Sequence, residues 1–193
     1  MMKIAQVGEV VLRTPAKSVS QTDIETAAFQ EFVDALLGTM QEANGVGIAA
    51  PQVFDERAVM IIASRPSPRY PNAPDMEPLV LINPKVIQSS EETVKDWEGC
   101  LSVPGLRGFI RRATWVEIEY LQRDGTPATQ RLDGFVARIF LHEFDHLIGK
   151  TWLDHIELNT DIMAESVWRK EIAGIDEPKS EIKSDDNCLT GEG

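Results

Sequence analysis

The sequence predicts an α+β fold in which antiparallel or mixed strands pack around one buried central helix. Short strand-like stretches recur along the chain, and one later helical stretch is apolar over most of its surface. Strands and helices do not alternate, which argues against a doubly wound parallel sheet. A length of 193 residues with 42% hydrophobic residues suits one folded domain. We expect residues 1–173 to form a single catalytic domain and residues 174–193 to be an acidic, disordered tail.

The first predicted helix covers residues 24–43, where apolar side chains recur at spacings of three and four residues. Asn44 and Gly45 should end this helix, because either residue tolerates the left-handed conformation that commonly follows a helix. Residues 58–63 are the first strand candidate. The following segment, 64–78, contains five prolines, which predicts a surface loop because proline fits neither a helix interior nor a central strand.

Further strands are expected in the middle of the chain, at residues 79–82, 85–87, 114–121 and 129–132. Pro84 should interrupt the first two of these strands. Asp124 and Gly125 should form the hairpin turn between the last two, since this dipeptide favours tight turns. A third helix is predicted over residues 161–172.

The charge balance excludes several classes of protein. The formal net charge is −12, which opposes non-specific binding to nucleic acid or to an anionic membrane surface. No apolar run is long enough for a membrane helix, and the first residues lack the continuous apolar core of a signal peptide. The chain has only two cysteines, so a disulfide framework is not expected. These features predict a cytoplasmic protein that binds neither membranes nor nucleic acid directly.

The central helix is predicted over residues 134–148, with Asp133 at its N-cap, and it contains an H-E-x-x-H sequence. His142 and His146 are four residues apart, so on a helix they lie on one face and can bind one divalent cation. Glu143 projects beside them and can take a proton from water that the cation activates. The motif lies in an apolar helix, where polar side chains need partners. The pattern therefore predicts a metal-dependent amide hydrolase.

Two histidines do not complete a catalytic site of this kind, which takes three protein ligands. The position at which a metzincin would have its third histidine holds Trp152. Glu165, in the predicted third helix, could serve as the carboxylate ligand of a thermolysin-like metallopeptidase. Cys100, in an irregular segment marked by Gly99 and Pro104, could supply a thiolate. Spacing alone favours Cys100 and Glu165 almost equally as the third metal ligand.

Three segments of the sequence, taken together and in this order, resemble the peptide deformylase family. They are Gly45-Val46-Gly47-Ile48-Ala49-Ala50-Pro51-Gln52, Glu98-Gly99-Cys100-Leu101-Ser102 and His142-Glu143-Phe144-Asp145-His146. The resemblance extends over about residues 3–170. It implies hydrolysis of the N-formyl group from the formyl-methionine of nascent polypeptides, with release of formate. The implied partners are formyl-methionyl peptides, met in transient proximity to the ribosome in a bacterial-type cytoplasm.

The resemblance also implies roles for individual residues. It makes Cys100, His142 and His146 the ligands of one divalent metal ion and Glu143 the base. The implied metal is Fe(II), with Zn, Ni or Co as alternatives. Gln52 and the backbone N–H of Leu101 would stabilise the oxyanion that develops on the formyl oxygen.

The remaining implied residues bind the substrate or support the ligands. The expected substrate-binding residues are Val46, Gly47, Gly99, Arg107, Phe135 and Ile139. Phe135 and Ile139 precede His142 by two turns and one turn of helix, so they could line a pocket for the methionine side chain. Glu98, Arg112 and Asp145 are expected to form a buried network behind the ligands. The proline-rich segment 64–78 is expected to modify substrate access.

Overall fold

Eight strands form two antiparallel sheets in a computed structural model that describes residues 1–175. The strands are β1 (Gly47–Ala49), β2 (Val59–Ser64), β3 (Met76–Ser89), β4 (Thr93–Cys100), β5 (Val103–Ala113), β6 (Trp115–Leu121), β7 (Pro127–Asp133) and β8 (Ile162–Ala164). The larger sheet has the order β1-β2-β3-β6-β7, and the smaller sheet has the order β4-β5-β8. The expectation of an α+β fold with antiparallel strands is therefore confirmed.

Four α-helices accompany the sheets in this part of the chain. They are α1 (Gln21–Ile24), α2 (Ala27–Glu42), α3 (Gly134–Leu147) and α4 (Glu165–Glu171). No helix within residues 1–175 is long and apolar enough to cross a membrane. The acidic tail was expected over residues 174–193. Residues 176–193 lie outside the described part of the chain, so the expectation of disorder stays a prediction.

Both faces of the larger sheet are buried, because side chains of its strands point alternately toward α2 and toward α3. Val59 and Ile61 of β2 belong to the hydrophobic cluster that includes α2, and Met60 and Ile62 belong to the cluster that includes α3. All four side chains are fully buried. Successive residues of a strand point to opposite faces, so one short apolar strand joins the two halves of the core. Each such side chain stabilises the fold by roughly 1.5–3 kcal/mol.

Helix α3 lies at the centre of the molecule. It follows the extended residue Asp133 and contacts β1, β2, β6 and β7 of the larger sheet as well as β5 of the smaller one. Nine of its 14 residues are buried, including polar ones. The predicted central helix is therefore present. Its buried polar side chains Arg138, His142, Asp145 and His146 face the β4–β5 hairpin, and Glu143 faces β1.

Several expected elements differ from the structure. The helix expected over 24–43 is present as α2 but begins later, at Ala27, because the side chain of Thr26 accepts a hydrogen bond from Phe29 N and caps it. Ile24 instead ends the short helix α1. The strand expected to break at Pro84 continues as β3, and a bulge with a positive φ at Asn83 absorbs the proline.

The expectation of one helix over 161–172 is wrong in its first part. Residues Ile162–Ala164 form β8, which pairs with β5, and only Glu165–Glu171 is α-helical. The long hairpin of β4 and β5 was not expected either, since its charged residues and glycines obscure the alternation of a strand.

Candidate active site

Three side chains with metal-binding atoms converge between α3 and the β4–β5 hairpin. Cys100 ends β4, and His142 and His146 lie one turn apart on α3. One ligand atom from each residue lies within 4.8 Å of the others. The Sγ atom of Cys100 is 3.3 Å from Nε2 of His146. Two imidazoles and a thiol at this separation suit a divalent transition metal ion.

The protonation of His142 is set by a carboxylate behind it. Nδ1 of His142 lies 2.8 Å from Oε2 of Glu98, and the two side chains are buried. Burial by itself raises the pKa of Glu98. Hydrogen bonds from Arg112 and His142 outweigh this effect and hold the pKa below its usual range, so the carboxylate is ionised. An ionised carboxylate can only accept, so Nδ1 of His142 donates its proton to Glu98. In the neutral imidazole, Nε2 of His142 then carries the lone pair that a cation would bind.

Glu98 is also the centre of a buried network of charges. Arg112 donates to Glu98 through Nε at 2.8 Å and Nη2 at 2.9 Å, and its Nη1 donates to Asp145 at 2.7 Å. Arg138 donates to Glu98 at 2.9 Å and to the carbonyl of Ile110 at 2.9 Å. Glu98, Arg112 and Asp145 thus lie together as the sequence suggested. Sequence reasoning missed Arg138, because nothing in its local pattern distinguishes it from an exposed helix residue.

Glu143 lies beside the two histidines and has a free carboxylate oxygen. The side chain is 5% exposed, and its Oε2 has no hydrogen-bond partner among the described residues. Burial raises the pKa of Glu143 to about 7. A Cβ atom added to Gly47 would lie 2.5 Å from Oε1 of Glu143. Because no real side chain fits in that space, glycine at position 47 allows β1 to approach the carboxylate.

Gln52 points its side-chain amide toward Cys100. Its Oε1 accepts a hydrogen bond from Ala49 N at 2.9 Å, which leaves the Nε2 group on the opposite side. Nε2 donates to Ser102 Oγ at 3.2 Å and lies 3.6 Å from Cys100 Sγ. The amide is therefore oriented with its N–H groups toward the candidate metal ligands. Ser102, which is fully buried, is a second residue that the sequence did not single out.

A cavity of about 250 Å³, here called the main cavity, opens beside these side chains. Its walls include the expected site residues Val46, Gly47, Gly99, Leu101, Arg107, Phe135 and Ile139. Val46, Phe135 and Ile139 form an apolar part of the wall, and His142 and Glu143 form a polar part. The main cavity can hold an apolar side chain next to a reacting polar group.

Arg107 is held in the wall of the main cavity by other protein groups. It is 1% exposed and donates to Glu165 through Nε at 2.7 Å and Nη2 at 3.1 Å. Its Nη1 donates to the hydroxyl of Tyr70 at 2.8 Å. Its guanidinium also stacks on Trp168, with 4.2 Å to the ring centroid. Glu165, the alternative third ligand, is thus bound to Arg107 and does not belong to the cluster of ligand atoms.

Comparison with known proteins agrees with this geometry. The family model described as polypeptide deformylase matches residues 1–161. Peptide deformylase 2 of Nostoc sp. is 47% identical over 170 residues, covering 88% of this chain and 94% of its own length. Peptide deformylase 2 of Shewanella oneidensis is 45% identical over 157 residues, covering 81% of this chain and 85% of its own length.

Solved structures give the same result. A class I type b peptide deformylase from Acinetobacter baumannii, crystallised with Met-Ala-Ser bound, superposes with a TM-score of 0.80 at 43% identity. It covers 81% of this chain and 98% of its own. A peptide deformylase from Synechococcus elongatus in complex with actinonin has a TM-score of 0.72 at 35% identity, covering 83% of this chain and 81% of its own. The chain therefore belongs to the polypeptide deformylase family, whose members are metal-dependent hydrolases that remove N-formyl groups.

Proposed function

We propose that this chain hydrolyses the N-formyl group of formyl-methionyl peptides in the main cavity, releasing formate and a free amino terminus. The observation that carries the proposal is the cluster of Cys100, His142 and His146 beside the unpaired carboxylate oxygen of Glu143. Nascent polypeptides would be the source of these substrates, so the proposal includes transient proximity to the ribosome in the cytoplasm.

The three clustered side chains would hold the single metal ion of the family. The tautomer of His142 and the thiol of Cys100 fit this role, because a free imidazole lone pair and a thiolate are strong ligands for a borderline metal. We assign Fe(II) as the metal in the cell, and Zn, Ni or Co also suit this donor set. When bound, such an ion polarises a carbonyl and makes water more acidic.

Glu143 would act as general base and then as general acid. Its free Oε2 atom can accept a proton from the attacking water, and it can then return that proton to the leaving amine nitrogen. Glycine at position 47 leaves the carboxylate in place, since any side chain there would displace it. General acid–base catalysis of this kind typically contributes ~10²–10⁴ in rate.

Gln52 and Leu101 would stabilise the negative charge that develops on the formyl oxygen. The bond from Ala49 N to Oε1 of Gln52 orients the Nε2 donors toward the candidate ligands before substrate arrives. Leu101 follows Cys100 in the turn of the β4–β5 hairpin and lines the main cavity, and its backbone N–H would be the second donor to the same oxygen. Donors that are oriented in advance cost no reorganisation during the reaction.

The peptide would bind in an extended conformation beside two strand edges. β1 is the last strand of the larger sheet and β4 the last strand of the smaller one, so each has a free edge. Val46, Gly47 and Gly99 supply backbone groups where these strands border the main cavity. The methionine side chain would lie against Phe135 and Ile139. Crystals of the Acinetobacter relative with Met-Ala-Ser bound support binding of a short peptide.

The buried residues around the ligands would position them. Glu98, Arg112, Asp145 and Arg138 hold the β4–β5 hairpin against α3 and orient His142. Arg107 would act through its neighbours, because its Nε, Nη1 and Nη2 atoms already donate to Glu165 and Tyr70. Tyr70 in turn packs on Phe135, with 4.9 Å between ring centroids, so Arg107 supports the wall of the methionine pocket.

Release of formate from formyl-Met-Ala-Ser tests this function. The enzyme is loaded with Fe(II) without oxygen, because an accessible thiolate oxidises readily. We expect turnover by the native chain and a loss of ~10²–10⁴ in kcat for Glu143→Gln, with the metal content unchanged. Glu119→Gln, on the exposed face of β6, is the matched control and should keep full activity. Absence of formate from the metal-loaded native chain would overturn the proposal.

A further inference from the structure

A second cavity, of about 420 Å³, adjoins the main cavity. Asn44, Val46 and Arg69 line both of them, so the two form one continuous depression. The rest of the second cavity is lined by Ala43, Arg65, Ser67, Pro68, Arg169 and Ile175. It is therefore built from the end of α2, the proline-rich segment and the C-terminal end of α4.

The second cavity is basic in an acidic protein. Arg65, Arg69 and Arg169 contribute three guanidinium groups to it, although the chain has a formal net charge of −12. Within residues 1–175, no salt bridge joins any of these three arginines to a carboxylate. Glu165 is near enough to interact electrostatically with Arg69 and Arg169, but it pairs directly with Arg107. Arg69 is held at the junction of the cavities, since its Nη2 donates to the carbonyl of Asn44 at 2.5 Å. Three such cations would attract an anion.

The path of the substrate leads toward these arginines. The reacting end of the peptide would lie near Gly47, because this residue is next to Glu143. The edge of β1 is blocked in one direction, because Ala49 N already donates to Oε1 of Gln52. In the other direction the chain runs from Gly47 through Val46 to Asn44, along the walls of the two cavities. A peptide that follows this edge away from its formyl group enters the second cavity.

We propose that the second cavity is an anion subsite that binds the side-chain carboxylate of an acidic residue downstream of the formyl-methionine. This inference rests on the proposed function, because it takes the substrate to be a formylated peptide that follows the β1 edge. An extended peptide advances about 3.3 Å per residue, as does the strand beside it. Asn44 borders the second cavity three residues from Gly47, so residues three to five of the peptide should reach it. Guanidinium groups suit a carboxylate because they can donate two parallel hydrogen bonds.

Matched peptide substrates test the subsite on the full metal-loaded chain. Each formyl-methionyl peptide amide carries one Asp at position three, four or five, and its control carries Asn at the same position. We expect KM about two- to fivefold lower for Asp than for Asn at one of these positions, as for a partly exposed ion pair. The difference should shrink in 0.5 M NaCl, which screens exposed charges.

Variants identify the arginines responsible. Arg65 and Arg169 line only the second cavity, so the double variant Arg65→Gln/Arg169→Gln should lose the Asp preference. The control Lys3→Gln/Lys150→Gln removes two positive charges outside both cavities and should keep that preference. The Asp-to-Asn ratio is compared within each enzyme, so a general loss of activity cancels.

These measurements distinguish failure of the anion subsite from failure of the proposed function. Turnover of the Asn peptides with equal KM for Asp and Asn at every position overturns the anion subsite and leaves the deformylase activity standing. Persistence of the Asp preference in the double variant likewise overturns it. No turnover of any peptide would instead contradict the proposed function on which the subsite rests.

Discussion

The carboxylate of Glu98 lies 2.8 Å from Nδ1 of His142 and holds the imidazole ring in one tautomer. The same carboxylate accepts hydrogen bonds from Arg112 and Arg138, all within the protein interior. Glu98 and the buried Asp145 thus balance two buried guanidinium groups, and Glu98 also orients a candidate metal ligand. Folding and metal binding are therefore coupled at a single side chain.

Substitution Glu98→Gln should weaken metal binding and destabilise the fold together. The amide cannot neutralise the two arginines, and loss of one partner from a buried charge network typically costs about 3–5 kcal/mol. We expect metal affinity to fall ~10–100-fold, as for other groups that orient a ligand. Urea unfolding and competition with a chelator measure the two effects. In the control Glu119→Gln, which breaks an exposed pair with Lys85, neither quantity should change appreciably.

Substitution Gly47→Ala should reduce kcat while the chain remains folded. The added Cβ atom would lie 2.5 Å from Oε1 of Glu143 and would force that carboxylate away from its position. A misplaced base of this kind costs on the order of 10² in rate. Formate release measures the loss, and circular dichroism checks the fold.

Gly38→Ala in α2 is the matched control, because nothing lies within 4 Å of a Cβ atom at that position. It should keep full activity and stabilise the helix by about 0.5–1 kcal/mol. Equal kcat for the two alanine variants would show that the approach of β1 to Glu143 has no catalytic consequence.

Substitution Gln52→Ala should lower kcat by ~10²–10³, with a smaller effect on KM, because it removes a donor to the developing oxyanion. The metal content should be unchanged, since Gln52 is not one of the clustered ligands. Steady-state kinetics and metal analysis measure these quantities. Gln88→Ala, at an exposed position of β3, is the control. A change in KM alone would assign Gln52 to ground-state binding of the peptide.

Substitution Glu165→Gln should raise KM more than it lowers kcat. Arg107 is fully buried and would lose its charged partner, so the contact of Tyr70 with Phe135 in the main cavity would loosen. The free energy of unfolding should fall by about 1.5–3 kcal/mol, the range for a hydrogen bond to a charged group. Metal content should stay constant, whereas it should fall in Cys100→Ser. Loss of metal from Glu165→Gln would instead favour a carboxylate ligand at that position.

An exposed acidic residue, Glu157, provides the control for Glu165→Gln. Glu157 pairs with Arg111 and Lys95 at the surface, so Glu157→Gln removes the same charge from a pair that is open to solvent. Such pairs contribute about 0–1 kcal/mol. We expect KM and stability close to those of the native chain, which would separate a specific effect of the Arg107 contact from a general change in charge.

The sequence by itself determined the central helix and the spacing of its functional side chains. Helical periodicity places His142, Glu143 and His146 within one turn of each other whatever the rest of the chain does. The apolar residues around them also require burial of that helix. The three family-like segments further identified the class of enzyme, because their order and residue types are specific even where spacing leaves the third ligand open.

The resemblance already implied Cys100 as the third ligand, and only the tertiary structure showed how this distant residue comes to lie beside the histidines. Cys100 lies close to the two histidines because β4 and β5 form a hairpin that packs against α3. Glu165 instead forms an ion pair with Arg107. The roles of Arg138 and Tyr70 were hidden for the same reason, since their partners come from other elements. Pairing between strands and burial of charge depend on contacts between residues far apart in the chain, which local patterns do not encode.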